Sequence, residues 1–391
     1  MSKFFIFVIF CTLVIASGIL YVFSNNKRIE KIDFIGKQKN ISTVKESNTK
    51  LFISGWLPYW RKTEGFTSLS ENLTLFDEIH PFAFGVNLDG SLQDTLKIKN
   101  SPWPELQEKA DKENIAIVPT ILWGDAKAMH KVFSNQILLD QHVSSISKLL
   151  EESTFSGVDI DYEGKDVVDR DIFSEFLQKL HEKLAVLHKT INCTVEARTQ
   201  DSPPEGWSGV RAMAYANDYT ALNTYCDTIT IMVYDEMFQV YGEKSVFRGV
   251  GDVPFVPNAD NQWVEQVVKY ALQYISPQRF ILGVPTYGWE FETKKIAQGY
   301  QYTRIQSVSF QQASKKIKDL GIIPMRNVGG ELSLVYKDAG RENIVTFADG
   351  EMVRKKMDIA RKYKLKGISL FKLDGLSDPD IFSILKDNRN N

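Results

Sequence analysis

Cysteine is scarce in this chain, at three of 391 residues. Cys11 lies in an apolar segment, while Cys193 and Cys226 fall in runs that read as strands. Both are expected to be small buried hydrophobes rather than halves of a disulfide. Net charge is scarce too: 47 Lys and Arg against 49 Asp and Glu leave a formal charge of -2. That balance carries no electrostatic footprint of a nucleic-acid or anionic-surface binder. Internal repeats and low-complexity tracts are missing after residue 50. What the chain has in quantity is apolar material, 43% hydrophobic and 12% aromatic, enough for a sizeable core.

One long uncharged run does occur, FFIFVIFCTLVIASGILYVF at 4–23. It is long enough to cross a bilayer, and equally fits a secretory apolar region with a small-residue site at Ala16-Ser17-Gly18. Phe10 before Cys11 is too large for a lipoprotein signal. Lys3 alone precedes the run, and Lys27, Arg28 and Lys31 follow it, which runs against the positive-inside rule for export. Residues 1–25 are therefore expected to be a transmembrane or signal segment. Residues 26–50 are polar, with KQKN and KESNTK, and read as a flexible linker. The globular domain is expected to span 51–391.

From Leu51 onward short apolar, β-rich runs alternate with helical patterns. The strands read as LFISGW (51–56), IHPFAFGV (79–86), IAIVPTIL (115–122) and SGVDIDY (156–162). NCTVEAR (192–198), TITIMVY (228–234), FILGVP (280–285) and GISLFKL (367–373) follow. Amphipathic helices are expected over 171–188, 261–275 and 350–363. Eight strands separated by helices predict an α/β fold, a (β/α)8 TIM barrel. The surplus between the seventh and eighth strands, approximately 292–347, predicts a small α+β insertion.

The fourth strand carries Asp159, Asp161 and Glu163 on alternate residues, hence on one face. A solvated acidic edge fits poorly with the apolar Val158 and Ile160 that flank Asp159. A calcium loop fails as well, because its twelfth position would be Arg170 and its eighth Asp166. General acid catalysis remains: carboxylates stacked on one strand cannot all ionise, so at least one stays protonated near neutrality. Such a pair suits cleavage of a glycosidic bond.

The run Ser156-Gly-Val-Asp159-Ile-Asp161-Tyr-Glu163 resembles the Asp-x-x-Asp-x-Asp-x-Glu motif of the family-18 glycoside hydrolases, which include chitinases. GWLPYW (55–60), MVYDE (232–236) and GVPTYGWEF (283–291) resemble that family's first, sixth and seventh strands. The resemblance implies a substrate-assisted retaining mechanism in which the substrate's acetamido oxygen attacks its own anomeric carbon. It implies Glu163 as the acid, Asp161 as the group that orients the acetamide, and Asp159 as its proton-sharing neighbour. Tyr234 would hydrogen-bond the acetamido oxygen and Asp235 would bind sugar hydroxyls or water. Two departures stand out. Ser156 replaces the first Asp; parity sets it off the face of Asp159, although its hydroxyl can still donate a hydrogen bond to that residue, and Phe371 replaces the usual Trp beneath the reacting sugar. Trp60, Trp123, Tyr287 and Trp289 fall near strand ends and are expected to stack on sugars. Arg198, ending the fifth strand, could reach substrate or pair with Glu196.

The insertion and the closing stretch at 344–371 look most similar to the spore cortex-lytic and germination N-acetylglucosaminidase branch. The implied substrate is peptidoglycan, with chitin or chitooligosaccharides next. Relatives of that branch often carry LysM repeats, for which no room is expected before Leu51. The implied partner is thus an N-acetylglucosamine polysaccharide, with no nucleic acid, no metal and no cofactor, acted on by a monomer. A polymer outside the cell implies export, either anchored on the outer face of the cytoplasmic membrane or secreted. The alternative is a chitinase-like lectin without catalysis, a class usually marked by loss of the catalytic Glu; Glu163 is present.

Overall fold

A computed structural model describes residues 50–209, 212–241, 246, 247, 253–297 and 299–390. Eight parallel strands form its centre: β1 Phe52–Leu57, β2 Glu78–Val86, β3 Thr120–Trp123 and β4 Gly157–Tyr162. They continue as β5 Thr190–Glu196, β6 Thr228–Met232, β7 Phe280–Pro285 and β8 Gly367–Phe371. Each strand pairs with its sequence neighbour, and β8 pairs with β1, so the sheet closes. The expected (β/α)8 barrel is what the chain forms.

Alternation along each strand separates two environments. Outward residues such as Ile121, Ile160 and Ile229 pack under the helices in one core. Inward residues are polar: register sets Thr120 beside Asp159 and Asp159 beside Asn192, with Asp161 beside Thr194 one storey higher. The helix Arg170–Val186 buries Phe173, Phe176, Leu177, Leu180 and Leu184 against that sheet. Side-chain caps begin the neighbouring helices, for example Asn135 before Gln136–Glu151, Asp260 before Asn261–Ala271 and Asp349 before Gly350–Lys362.

The insertion follows β7. Strands Tyr287–Ile296, Gly299–Ser309, Leu332–Asp338 and Arg341–Phe347 pair antiparallel, and Phe310–Leu320 is its helix. The short strands Met325–Arg326 and Val246–Phe247 complete this six-stranded sheet. The insertion begins at Tyr287, earlier than the expected 292, because the chain leaves the barrel at Thr286, whose N–H donates to the Phe371 carbonyl (2.8 Å). GVPTYGWEF is therefore divided between β7 and the insertion. Gly288 permits the close approach there, since a Cβ would lie 1.9 Å from the Thr346 carbonyl.

Cys193 and Cys226 form a disulfide, with Cα atoms 6.0 Å apart, which corrects the reading of both as free hydrophobes. Parallel pairing explains it: Cys193 lies beside Ile229, so the turn before β6 brings Cys226 behind the same strand. The apolar run at 4–23 and the linker at 26–50 lie outside the described residues. Among the described residues no helix is long and apolar enough to cross a membrane.

Candidate active site

Asp159 is fully buried within the barrel. Its Oδ2 accepts from Trp56 Nε1 (2.9 Å) and Thr120 Oγ1 (2.7 Å). Its Oδ1 accepts from Asn192 Nδ2 and Thr194 Oγ1, both at 2.7 Å. Four donors from β1, β3 and β5 thus hold one carboxylate rigidly. Ser156 is not among them. It sits before β4 with its side chain exposed, because strand parity turns residue 156 away from the face of residues 157, 159 and 161. The expected Ser156–Asp159 hydrogen bond is therefore corrected.

Asp161 lies one step higher, also buried, and its Oδ1 has no hydrogen-bond partner. Burial raises its carboxyl well above the usual range, and Glu163, Asp159 and Glu196 add to the effect. Glu163, half-buried at the strand's end, is raised from 4.5 to about 7. Burial is the largest cause and Glu196 the next, while Lys165 opposes and Asp235 adds. Repulsion along β4 is thus not the main reason that Glu163 keeps its proton. The low-dielectric setting and an acid from the next strand are.

Glu196 is a site residue that the motifs do not single out. It closes β5 on the inward face, 1% exposed, continuing the polar alternation of Asn192 and Thr194. That alternation is the signal by which the sequence could have revealed it. Its Oε1 accepts from the N–H of Gly164 (3.1 Å), and its Oε2 from Asn217 Nδ2 (2.7 Å). Gly164, at φ 75°, is the turn immediately after Glu163, so Glu196 also pins the backbone that aims the acid.

The exit of β6 supplies Tyr234 and Asp235. Tyr234 is buried, its ring stacked on Phe371 at 5.4 Å and 11°. Burial, then Asp161 and Glu163, raises its phenol well above the ordinary value, so it stays a hydroxyl. Asp235 has a left-handed backbone, φ 57°, with its N–H donating to Asn258 Oδ1 (2.9 Å). Its Oδ1 accepts from Tyr287 Oη (2.6 Å) and Trp289 Nε1 (2.7 Å). Burial raises this carboxyl and those two donors oppose the rise.

A cavity of about 290 Å³ joins these groups, lined by Asp161, Glu163, Tyr234, Asp235, Trp56, Trp60, Phe82 and Phe371 among others. Trp60 is 47% exposed and lines the cavity, packed on Tyr59 and Phe82. Trp123 does not: it is 3% exposed, packed against Phe133, His142 and Tyr162 on the helix side of β3. Parity again decides, since Leu122 pairs with Asp161 and Trp123 pairs with the outward Tyr162. Tyr287 and Trp289 do not line this cavity either; they hold Asp235 in place. Among the described residues, no cluster of His, Cys, Asp or Glu is arranged to hold a metal ion.

The arrangement can hold a proton at neutrality beside an apolar-walled hollow, with a phenol and two further acids facing it. Residues 11–375 match the model of the glycosyl hydrolases of family 18. Among curated proteins, the uncharacterized glycosylase YvbX of Bacillus subtilis is 23% identical over 257 residues, covering 65% of this chain and 67% of that protein. The putative sporulation-specific glycosylase YdhD of B. subtilis is 25% identical over 248 residues, 63% of this chain and 53% of that protein. The cortical fragment-lytic enzyme of B. subtilis is 22% identical over 302 residues, covering 74% and 64%. The chain thus spans half to two thirds of the length of these relatives. Among solved structures, the spore cortex-lytic enzyme SleL of Bacillus megaterium QM B1551 aligns with a TM-score of 0.70 at 20% identity, covering 87% of this chain and 74% of that one. A chitinase from Chromobacterium violaceum ATCC 12472 aligns equally well, TM-score 0.70 at 20% identity, covering 87% and 99%. At such identities the structural likeness speaks to the fold.

Proposed function

The chain belongs to the glycosyl hydrolases of family 18, and from that premise we propose that it cleaves glycans of β-1,4-linked N-acetylglucosamine, peptidoglycan before chitin. The carrying observation is Glu163, a carboxyl raised to about 7 at the wall of an aromatic cavity. A group so poised can give a proton at neutral pH and take one back. Glu163 protonates the glycosidic oxygen as its bond to the anomeric carbon breaks. The substrate's acetamido oxygen attacks that carbon, giving an oxazolinium intermediate, and configuration is retained overall. Asp161 accepts from the acetamide N–H and balances the developing charge. The Tyr234 hydroxyl donates to the acetamido oxygen. Water then opens the ring and returns its proton to Glu163. Asp159, held by four donors, fixes the strand beneath Asp161. Phe371 and Tyr234 form the apolar floor.

Peptidoglycan is favoured over chitin by relatives named for the lysis of cortical fragments. Export is favoured by the Cys193–Cys226 disulfide, since such bonds persist in oxidising compartments. The test is sugar release from N-acetylated peptidoglycan and from chitooligosaccharides, comparing wild type with Glu163→Gln. Loss of about 10²–10⁴-fold is expected in the variant. Equal release by both proteins, or none by either on both polymers, would overturn the reading.

A further inference from the structure

A second cavity, about 390 Å³, opens beyond Glu196 and shares Glu196, Met213 and Gln239 with the catalytic hollow. Its wall holds Arg198, which is 5% exposed. Arg198 Nε and Nη1 have no hydrogen-bond partner, and among the described residues no carboxylate lies within ion-pair distance of it. Its guanidinium stacks over Tyr219 at 4.3 Å and meets the uncharged Tyr219 hydroxyl. Of the two readings left open for Arg198, pairing with Glu196 does not occur, because that carboxylate is already engaged by Gly164 and Asn217.

The other acids nearby are occupied as well. Asp201 accepts from Tyr270 and Tyr274. Asp260 caps a helix at Gln262. Glu236 accepts from Asp260 N–H and is raised to about 9 by burial, so it is uncharged at neutrality. A buried guanidinium without a counter-ion costs several kcal/mol. Holding one over the Tyr219 ring, with Tyr215 and Tyr270 at 5.5 and 5.6 Å, at the wall of an open cavity is a receptor geometry for a carboxylate.

We propose that Arg198 binds a carboxylate carried by the sugar on the leaving-group side, as a muramyl unit carries and chitin does not. The side follows from what the two hollows share. Glu163 gives its proton to the leaving oxygen, and the second cavity begins at Glu196, which accepts from the N–H of Gly164, the residue next to that acid. This inference rests on the proposed hydrolysis and names the feature that selects peptidoglycan. The anion belongs to the lactyl arm or to the peptide attached to it.

Affinity is measured by calorimetry on full-length Glu163→Gln protein. The probes are N-acetylglucosaminyl-N-acetylmuramic acid, its L-Ala-D-isoglutamine derivative, and the methyl ester of each. At least one free acid should bind about tenfold or more tightly than its ester, and the pair that does so assigns the source of the carboxylate. Adding Arg198→Gln should bring acid and ester to the same affinity, and Arg198→Lys should restore part of the ratio. The proposal is overturned if both acids bind like their esters in the parent, or if Arg198→Gln weakens acid and ester equally. Absence of hydrolysis by wild type would remove the proposed activity, while the acid-to-ester ratio would still decide whether Arg198 binds a carboxylate.

Discussion

Replacing Glu196 by Gln removes one buried acid beside Glu163 and little else. Glu163 is raised from 4.5 to about 7, about 3.4 kcal/mol of resistance to ionisation. Burial supplies the largest share, Glu196 the next, and Asp235 a smaller one, with Lys165 opposing. Losing Glu196 should lower Glu163 by about one pH unit, ~1.4 kcal/mol. Catalysis needs protonated Glu163, so the basic limb of kcat/KM should fall from near 7 to near 6. Activity should then drop about eightfold at pH 7.5 and hardly change at pH 5. The amide fits the site: its oxygen can still accept from Gly164 N–H. Asn217 Oδ1, which has no partner now, can turn to accept from the new amide nitrogen. A pH–rate profile on N-acetylglucosamine oligosaccharides is the assay. An unmoved basic limb, or a uniform loss at every pH, would refute the electrostatic account.

Trp60→Ala should raise KM by about 5–20-fold through lost stacking while leaving the melting temperature in place. Trp123→Ala should do the reverse, costing about 3–5 kcal/mol of stability in urea unfolding; matching effects from the two would contradict their assigned environments. Reducing the Cys193–Cys226 bond, which closes a loop of sequence separation 33, should cost about 3–4 kcal/mol. Urea midpoints with and without dithiothreitol check this, and identical midpoints would argue that the bond is not formed in solution.

Much of the fold was legible because its signals are local. Short apolar, β-rich runs marked the strands, and the spacing of Phe173, Phe176, Leu180 and Leu184 marked a helix. Asp159 and Asp161 were legible for the same reason. The misreadings share a different cause. Trp60 and Trp123 both end apolar runs; the register of β3 against β4 turns Trp123 to the helices, while Trp60, in the turn after β1, lines the cavity. Parity already set Ser156 off the acid face; what the sequence did not show is that Trp56, Thr120, Asn192 and Thr194 take both oxygens of Asp159. The cysteines are remote in sequence and adjacent only because β5 and β6 are neighbours. Glu196 and Arg198 likewise gain their meaning from what the next strand brings beside them. Local pattern told which residues share a face; it could not tell which faces meet.

Asp235 ends a barrel strand, yet its carboxylate accepts from Tyr287 and Trp289, both on the first strand of the insertion. The loop residue Asn258 adds to the same tie, receiving the Asp235 N–H and donating to the Tyr287 carbonyl. Glu331, also from the insertion, grips that loop through the N–H groups of Asn258 and Ala259. The insertion is therefore not a detachable module. A minimal barrel trimmed at Thr286 would keep every motif acid and still strand one of them without its donors. Grafting these strands onto another barrel would have to transplant both halves of this clasp together.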